Sequence, residues 1–279
     1  MLNQMTSFFN SAFYFSGTSW KSILLAVVLG LVFGALWLIP FQPPFMKKPQ
    51  LWVVALVSAI LTWTAIAFAQ IPLQIWYSRA LYHFWNSTTI GQWVLLAGIP
   101  LVLLSGIVQE AAKLVPVLFY WWRSGKNFTP KFGLIAGAVS GAGFGVFEAI
   151  WAHNQLFASG ISWASLNNSF WGLWERFFSV AFHIALSALV GYGLAKRKSW
   201  QFYLIAAFLH GLMNYSVILI QDNLLTITQD EMFTAIFAAA VTCVSLFLYW
   251  KAAKEIPAEN PPPVPSDASS NPSPQPPLS

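Results

Sequence analysis

Five ionisable side chains lie inside segments of the sequence that are otherwise apolar enough to cross a membrane. They are Glu110, Lys113, Glu148, His183 and His210. A charge at the centre of a bilayer costs about 2.5–3.5 kcal/mol on insertion scales, so such residues face a polar interior and mark functional sites. Asn214 follows His210 by four residues, which puts both side chains on one helical face. These six residues form the candidate site.

Two carboxylates, two imidazoles and an amide permit three kinds of chemistry. The first is water activation, with a carboxylate in a low-dielectric cavity as general base and His or Asn side chains as donors to an oxyanion. This arrangement suits peptide hydrolysis without a covalent intermediate. The second is metal binding through His and Glu, although the HExxH zinc signature is absent from the sequence. The third is proton or ion translocation through a carboxylate–histidine relay.

The composition identifies the class of protein that must position these groups. Hydrophobic residues make up 57% of the 279 residues and charged residues only 8%, against about 25% in soluble domains. The scattered basic residues do not form a nucleic-acid footprint, so no nucleic-acid partner is expected. We predict an all-α, polytopic transmembrane bundle in a lipid bilayer. About seven spans are expected, at residues 22–40, 51–70, 92–122, 132–152, 177–195, 201–220 and 232–250.

The expected helices place the candidate residues at similar depths. With a rise of about 1.5 Å per residue, Glu110 and His183 lie ~18 Å from the end that carries most Lys and Arg, and Glu148 lies ~24 Å from it. The corresponding depths are ~14 Å for His210 and ~20 Å for Asn214. Within their predicted bounds, the first, second and seventh spans contain no Asp, Glu, Lys, Arg or His. The polar groups of spans three to six are therefore predicted to share one cavity.

Local spacing supports this arrangement. Glu110 and Lys113 are three residues apart and can form an ion pair on one helix face. Along the fourth span, glycines recur every four residues: Gly133, Gly137, Gly141 and Gly145. Such a stripe of small residues lets another helix approach closely. Glu148 continues this stripe and is therefore predicted to point into the bundle.

The connections between spans predict orientation and domain organisation. Ten Lys and Arg residues lie on one side and three, Lys21, Arg79 and Arg176, on the other, which predicts a multi-pass plasma-membrane protein with its N-terminus outside and its C-terminus cytoplasmic. Residues 1–20 suit an interfacial segment, 21–255 form the membrane domain with a site-bearing core at 105–220, and the Pro-rich 256–279 are predicted to be a disordered tail. The aromatic-rich outer connections 71–91 and 153–176 are expected along the interface. The third span is predicted either as one broken helix or as a short helix followed by a span.

Four short motifs, in order, resemble those of the PrsW family of intramembrane proteases, in the same superfamily as the CAAX prenyl proteases. They are QEAAK at 109–113, GFGVFE at 143–148, His183, and HGLMN at 210–214. The segment from Glu175-Arg176 to His183 and Ser187 is also similar to the YhfC-like branch. The resemblance covers roughly residues 105–220.

The resemblance implies a glutamic intramembrane endopeptidase that cleaves membrane-embedded substrates, such as anti-sigma factors or prenylated proteins. It implies water-activating carboxylates at positions 109 and 110, Lys113 as their partner and a second acid at Glu148. It also implies that His210 and Asn214 orient water or stabilise the oxyanion, with His183 as the preceding family histidine. Two positions depart from the pattern, because Gln109 replaces the first Glu and Ala152 replaces a Tyr. Glu110 and Glu148 would then activate water between them.

The predicted function is hydrolysis of peptide bonds in membrane-embedded protein substrates by water that Glu and His activate. No cofactor is predicted, and a divalent metal such as zinc stays open. Two alternatives also stay open. One is a non-catalytic membrane binding or regulatory homologue, which Gln109 suggests. The other is a proton-coupled transporter.

Overall fold

The computed structural model describes residues 20–156 and 170–254. Within these ranges the chain forms helices and no strand. They are α1 (Trp20–Leu38) with a 3-10 turn (Ile39–Phe41), α2 (Gln50–Ala65), a π turn (Ile66–Gln70), α3 (Ile71–Phe84), α4 (Ser87–Gln92), α5 (Val94–Arg123), α6 (Pro130–Leu156), α7 (Phe170–Ala195), α8 (Ser199–Gln221) and α9 (Ile227–Lys254). The predicted N-terminal segment, apart from Trp20, the predicted tail and the middle of the 153–176 connection lie outside the described residues.

Seven helical stretches of the described chain are long and apolar enough to cross a membrane. The all-α class and the seven predicted spans are therefore confirmed. Helices α6 and α7 are the most buried of the seven, and the other helices surround them. Large apolar side chains such as Trp52, Phe119, Phe208 and Phe247 remain exposed on the outside of the bundle, where lipid would contact them.

The glycine stripe of α6 sets the distance between the two central helices. A Cβ atom added at Gly137 would lie 2.0 Å from the carbonyl oxygen of Ser187, and one added at Gly141 would lie 2.3 Å from that of His183. The backbone of α7 therefore lies directly against the stripe, as predicted. This contact fixes the height of His183 relative to α6.

We expect Gly137→Ala to destabilise the bundle by at least about 2 kcal/mol, because the added methyl group meets a backbone carbonyl that cannot rotate away. The matched control is Gly91→Ala in α4, where no atom lies within 4 Å of the added Cβ. That control should be neutral or stabilising by up to about 1 kcal/mol through helix propensity. Thermal unfolding of both variants in detergent measures the difference, and equal midpoints would contradict the packing argument.

Two helices begin earlier than the predicted spans. Helix α7 starts at Phe170 rather than near 177, and α9 starts at Ile227 rather than near 232. At α9, the backbone N–H of Gln229 donates to Thr226 Oγ1 at 3.3 Å, and the N–H of Thr226 donates to Gln229 Oε1 at 2.9 Å. This reciprocal cap fixes the helix start. The predicted bound near 232 is therefore wrong, and the observed helix brings Asp230 and Glu231 into the first turns of a span that has no Asp, Glu, Lys, Arg or His at 232–250.

The second and third spans also differ from their predicted bounds. The second continues beyond 70 through the π turn into α3, and Pro72 lies in the first turn that follows the π turn. Most of the predicted 71–91 connection is therefore helical. Before the third span, the short helix α4 precedes α5, which runs unbroken through Pro100 and Pro116. Both predictions for the 92–122 segment are therefore wrong, since it forms one continuous helix from Val94 and the short helix α4 ends where the segment begins.

Candidate active site

A chain of short contacts joins the ionisable residues of α5, α6 and α7. Lys113 Nζ lies 2.5 Å from Glu110 Oε1 on the same helix and 3.1 Å from His183 Nδ1. The other nitrogen of His183, Nε2, lies 2.8 Å from Glu148 Oε2. The predicted Glu110–Lys113 pair is present, and the imidazole of His183 links it to Glu148 on α6.

Helix α8 adds the second histidine to this network. His210 Nδ1 lies 2.7 Å from Glu110 Oε1, and the centroids of the two imidazole rings are 5.2 Å apart. Glu110 and Lys113 are each only 1% exposed, and both histidines are also buried. The structure therefore brings all five predicted ionisable residues into one hydrogen-bonded network inside the bundle.

The contacts assign the protons of the two histidines. A lysine ammonium only donates hydrogen bonds, so His183 Nδ1 accepts from Lys113 and the Nε2–H of His183 donates to Glu148. The Glu110 carboxylate accepts from Lys113, and we assign the Nδ1–H of His210 as its second donor. Nε2 of His210 is then the nitrogen available to water or substrate.

A group of neutral polar residues continues the network through Ser105. Its Oγ accepts from Asn214 Nδ2 at 2.9 Å and from Gln109 Nε2 at 3.1 Å, and Gln109 Nε2 also donates to Gln70 Oε1 at 2.9 Å. Sequence analysis missed Ser105 and Gln70. Ser105 could have been found, since it lies one helical turn before Gln109. Gln70 gives no local signal, because the π turn that ends with it directs it to a residue 39 positions away.

The network borders a cavity of about 310 Å³. The six predicted site residues differ in their access to it. Glu148, His183, His210 and Asn214 line the cavity, together with Gln109, whereas Glu110 and Lys113 lie behind this wall. The Glu148 side chain is 20% exposed, against 1% for Glu110. Of the two predicted water-activating acids, Glu148 is therefore the one that faces open space.

The first turns of α7 supply a basic group that the sequence analysis had placed in an outer connection. Arg176 Nη1 lies 3.5 Å from Glu148 Oε2, and the same guanidinium pairs with Glu175. Ser179 Oγ donates to Glu175 Oε1 at 2.9 Å. The spacing contained a signal, because Arg176 precedes His183 by seven residues and thus shares its helical face. Arg176 and His183, from one face of α7, therefore both contact Oε2 of Glu148.

The donor set also has the chemistry of a metal site. One ligand atom each from Glu110, His183 and His210 can be chosen so that all three lie within 4.8 Å of one another. Carboxylate and imidazole are ordinary zinc ligands, and Glu110 Oε2 is buried with no hydrogen-bond partner in the described part of the chain. However, the Lys113 ammonium contacts two of the three residues. The set fits a divalent metal in type and spacing, provided that Lys113 moves aside.

The fold and the site define a multi-pass membrane protein with a buried acid–imidazole cavity. Comparison with known families identifies it further, because a model described as PrsW family intramembrane metalloprotease matches residues 18–249. The chain therefore belongs to this family, as its motifs indicated, and a membrane protease role follows. No curated protein and no solved structure matches the chain.

Proposed function

We propose that this protein is an intramembrane endopeptidase that hydrolyses peptide bonds of membrane-protein substrates with a water activated by Glu148 and its histidine neighbours. The observation that carries the proposal is that Glu148, His183, His210 and Asn214, from three helices, line one cavity inside the bundle. An acid, two imidazoles and an amide around one space supply a base, proton donors and an oxyanion partner.

Glu148 is the general base in this proposal. Its carboxylate is held by His183 Nε2 at 2.8 Å and by Arg176 at 3.5 Å, and part of it faces the cavity. It takes a proton from water as the water oxygen bonds to the peptide carbonyl carbon. The same proton then passes to the leaving amine as the C–N bond breaks, which returns Glu148 to the carboxylate. Asn214 and His210 lie where they can orient the water or stabilise the oxyanion.

Glu110 acts through His210 rather than on the water directly. It lies behind the cavity wall and accepts the hydrogen bond of His210 Nδ1, which fixes the ring and its tautomer. Lys113 compensates the buried charge of Glu110 and orients His183 through Nδ1. The prediction that both acids hold the water is thus modified in this proposal.

A metal-dependent version uses the same residues differently. Glu110, His183 and His210 would hold the ion, which when bound would supply Lewis-acid polarisation of water or of the substrate carbonyl. In that version Lys113 withdraws from its two partners, and Glu148 remains the base that faces the cavity.

We expect the purified wild-type protein to keep its proteolytic activity in a strong chelator, because the Lys113 ammonium already neutralises Glu110. Mass spectrometry of metals in the same preparation should find much less than one zinc per chain. Stoichiometric zinc, together with loss of activity in chelator and its recovery on adding zinc back, would establish the metal-dependent version instead.

The distribution of basic residues orients the proposed enzyme. With the Lys- and Arg-rich connections in the cytoplasm, the N-terminus lies outside and the C-terminus inside the plasma membrane. The cavity then lies toward the outer side, because its walls include the start of α7, the last turns of α8 and the start of α9. Substrates would be cleaved near the outer end of their membrane segments.

Substrate capture tests the proposal. Membranes containing the Glu148→Gln full chain are crosslinked and the bound membrane proteins are identified, with the wild-type chain processed in parallel. We expect the Glu148→Gln chain to capture certain membrane proteins intact. The same proteins should be recovered as shortened fragments from membranes that contain the wild-type chain. If both forms capture the same intact proteins, the binding or regulatory homologue is the better description, and Gln109 in place of the family acid is the observation that favours it.

A further inference from the structure

Two carboxylates at the start of α9, Asp230 and Glu231, line the cavity and form no ion pair with the residues that the structure describes. Asp230 and Glu231 are 9% and 6% exposed, and both line the cavity that Glu148 borders. Asp230 Oδ1 and Glu231 Oε2 have no hydrogen-bond partner among the residues that the structure describes. The positive end of a helix accommodates an acidic residue in its first turn. Two neighbouring buried carboxylates exceed what this effect compensates.

In the described ranges, 20–156 and 170–254, no basic side chain forms an ion pair with Asp230 or Glu231. Arg176 forms its ion pairs with Glu148 and Glu175, and its charge acts on Glu231 only at longer range. Of the other two basic residues at this end, Lys21 lies over the Trp20 ring, and Arg79 lines a separate cavity with Gln74 and Tyr82. The sequence contains no Lys or Arg at 157–169, the segment before α7, or at 222–226, the turn before α9.

We propose that Asp230 and Glu231 form a subsite for a Lys or Arg side chain of the substrate, close to the bond that is cleaved. This inference rests on the proposed protease function and names its substrate class. The substrate is a membrane protein that carries a basic residue just beyond the outer end of its apolar segment. Outer flanks of membrane proteins contain few basic residues, so the subsite would restrict cleavage to a minority of them.

A basic side chain fits this wall better than a divalent ion. Within the described chain, the only group of three His, Cys, Asp or Glu ligand atoms close enough to hold a metal is Glu110, His183 and His210. Asp230 and Glu231 therefore have no preformed third ligand. A long ammonium or guanidinium side chain needs only one or two carboxylates within reach, and its apolar stem can pack against apolar wall residues such as Met213 and Val217.

The test separates this inference from the proposed function. New protein N-termini are profiled in membranes of cells that produce the full chain as wild type, Glu148→Gln, Asp230→Asn/Glu231→Gln or Asp222→Asn. Asp222 is an exposed carboxylate at the same end of the bundle and does not line the cavity. Sites that depend on Glu148 define the cleavages, and we expect Lys or Arg to be enriched beside them. The double variant should lose this enrichment, whereas Asp222→Asn should keep it.

A second measurement uses the wild-type protein alone. Two peptides that span one such site, differing only in Lys or Gln at the enriched position, are compared in proteoliposomes. We expect kcat/KM to fall by about tenfold or more with Gln, the loss expected for one charged hydrogen bond. Equal rates for the two peptides, or a preference that requires added calcium or magnesium, would overturn the subsite. If cells that produce the wild-type chain show no cleavage beyond that of cells without it, the protease function itself is overturned.

Discussion

Glu148→Gln should lower the rate of proteolysis by about 10²–10⁴-fold, the contribution of a positioned general base, while leaving the fold intact. The side-chain oxygen of Gln can still accept the hydrogen bond from His183 Nε2, and the side chain has nearly the same shape. It cannot take a proton from water at neutral pH. The loss should therefore appear in kcat, with little change in KM.

The initial rate of cleavage of a captured substrate, in proteoliposomes, measures this effect. Asp222→Asn serves as the matched control, because it also removes one carboxylate charge, at the turn between α8 and α9, but does not line the cavity. Equal unfolding midpoints for wild type and Glu148→Gln establish that the bundle is intact. A Glu148→Gln protein that cleaves at the wild-type rate would move the base to another residue.

Lys113→Met should destabilise the protein by about 3–5 kcal/mol, because it leaves the Glu110 carboxylate buried without its cation. The two side chains are each 1% exposed and 2.5 Å apart, so no water replaces the lost partner. Met keeps the length of the apolar stem, and the effect is therefore mainly electrostatic. Unfolding in detergent, followed by loss of helical circular dichroism, measures it.

A double-mutant cycle isolates the pair from other effects. Lys113→Met combined with Glu110→Gln removes both charges, and we expect it to recover a large part of the stability lost in Lys113→Met alone. If the losses simply add, the ion pair does not stabilise the bundle. The zinc content of Lys113→Met is informative in the same preparation, because removal of the ammonium leaves the three candidate metal ligands free of their competing cation.

Most of the architecture could be predicted because the bilayer imposes strong constraints on sequence. A span needs about 20 apolar residues, so the count of seven followed from hydrophobicity. The predicted helix bounds were wrong where features other than hydrophobicity determine them. The start of α9 is fixed by the Thr226–Gln229 cap, and the path from α2 into α3 by a π turn. Both are local hydrogen-bonding features, and an average of hydrophobicity over a sequence window does not detect them.

The candidate residues themselves were determined by the sequence, because an ionisable side chain in an apolar span is costly enough to indicate a shared polar interior. Glu110, Lys113, Glu148, His183 and His210 met this criterion without any coordinates. Only the tertiary structure decided which of the two acids faces the cavity, and that Arg176, Asp230 and Glu231 join its wall. These outcomes depend on how α7 and α9 pack against α6 and α8. Such packing joins residues that are far apart in the chain. Local spacing therefore indicated only Arg176, through its seven-residue separation from His183, and gave no signal for Asp230 and Glu231.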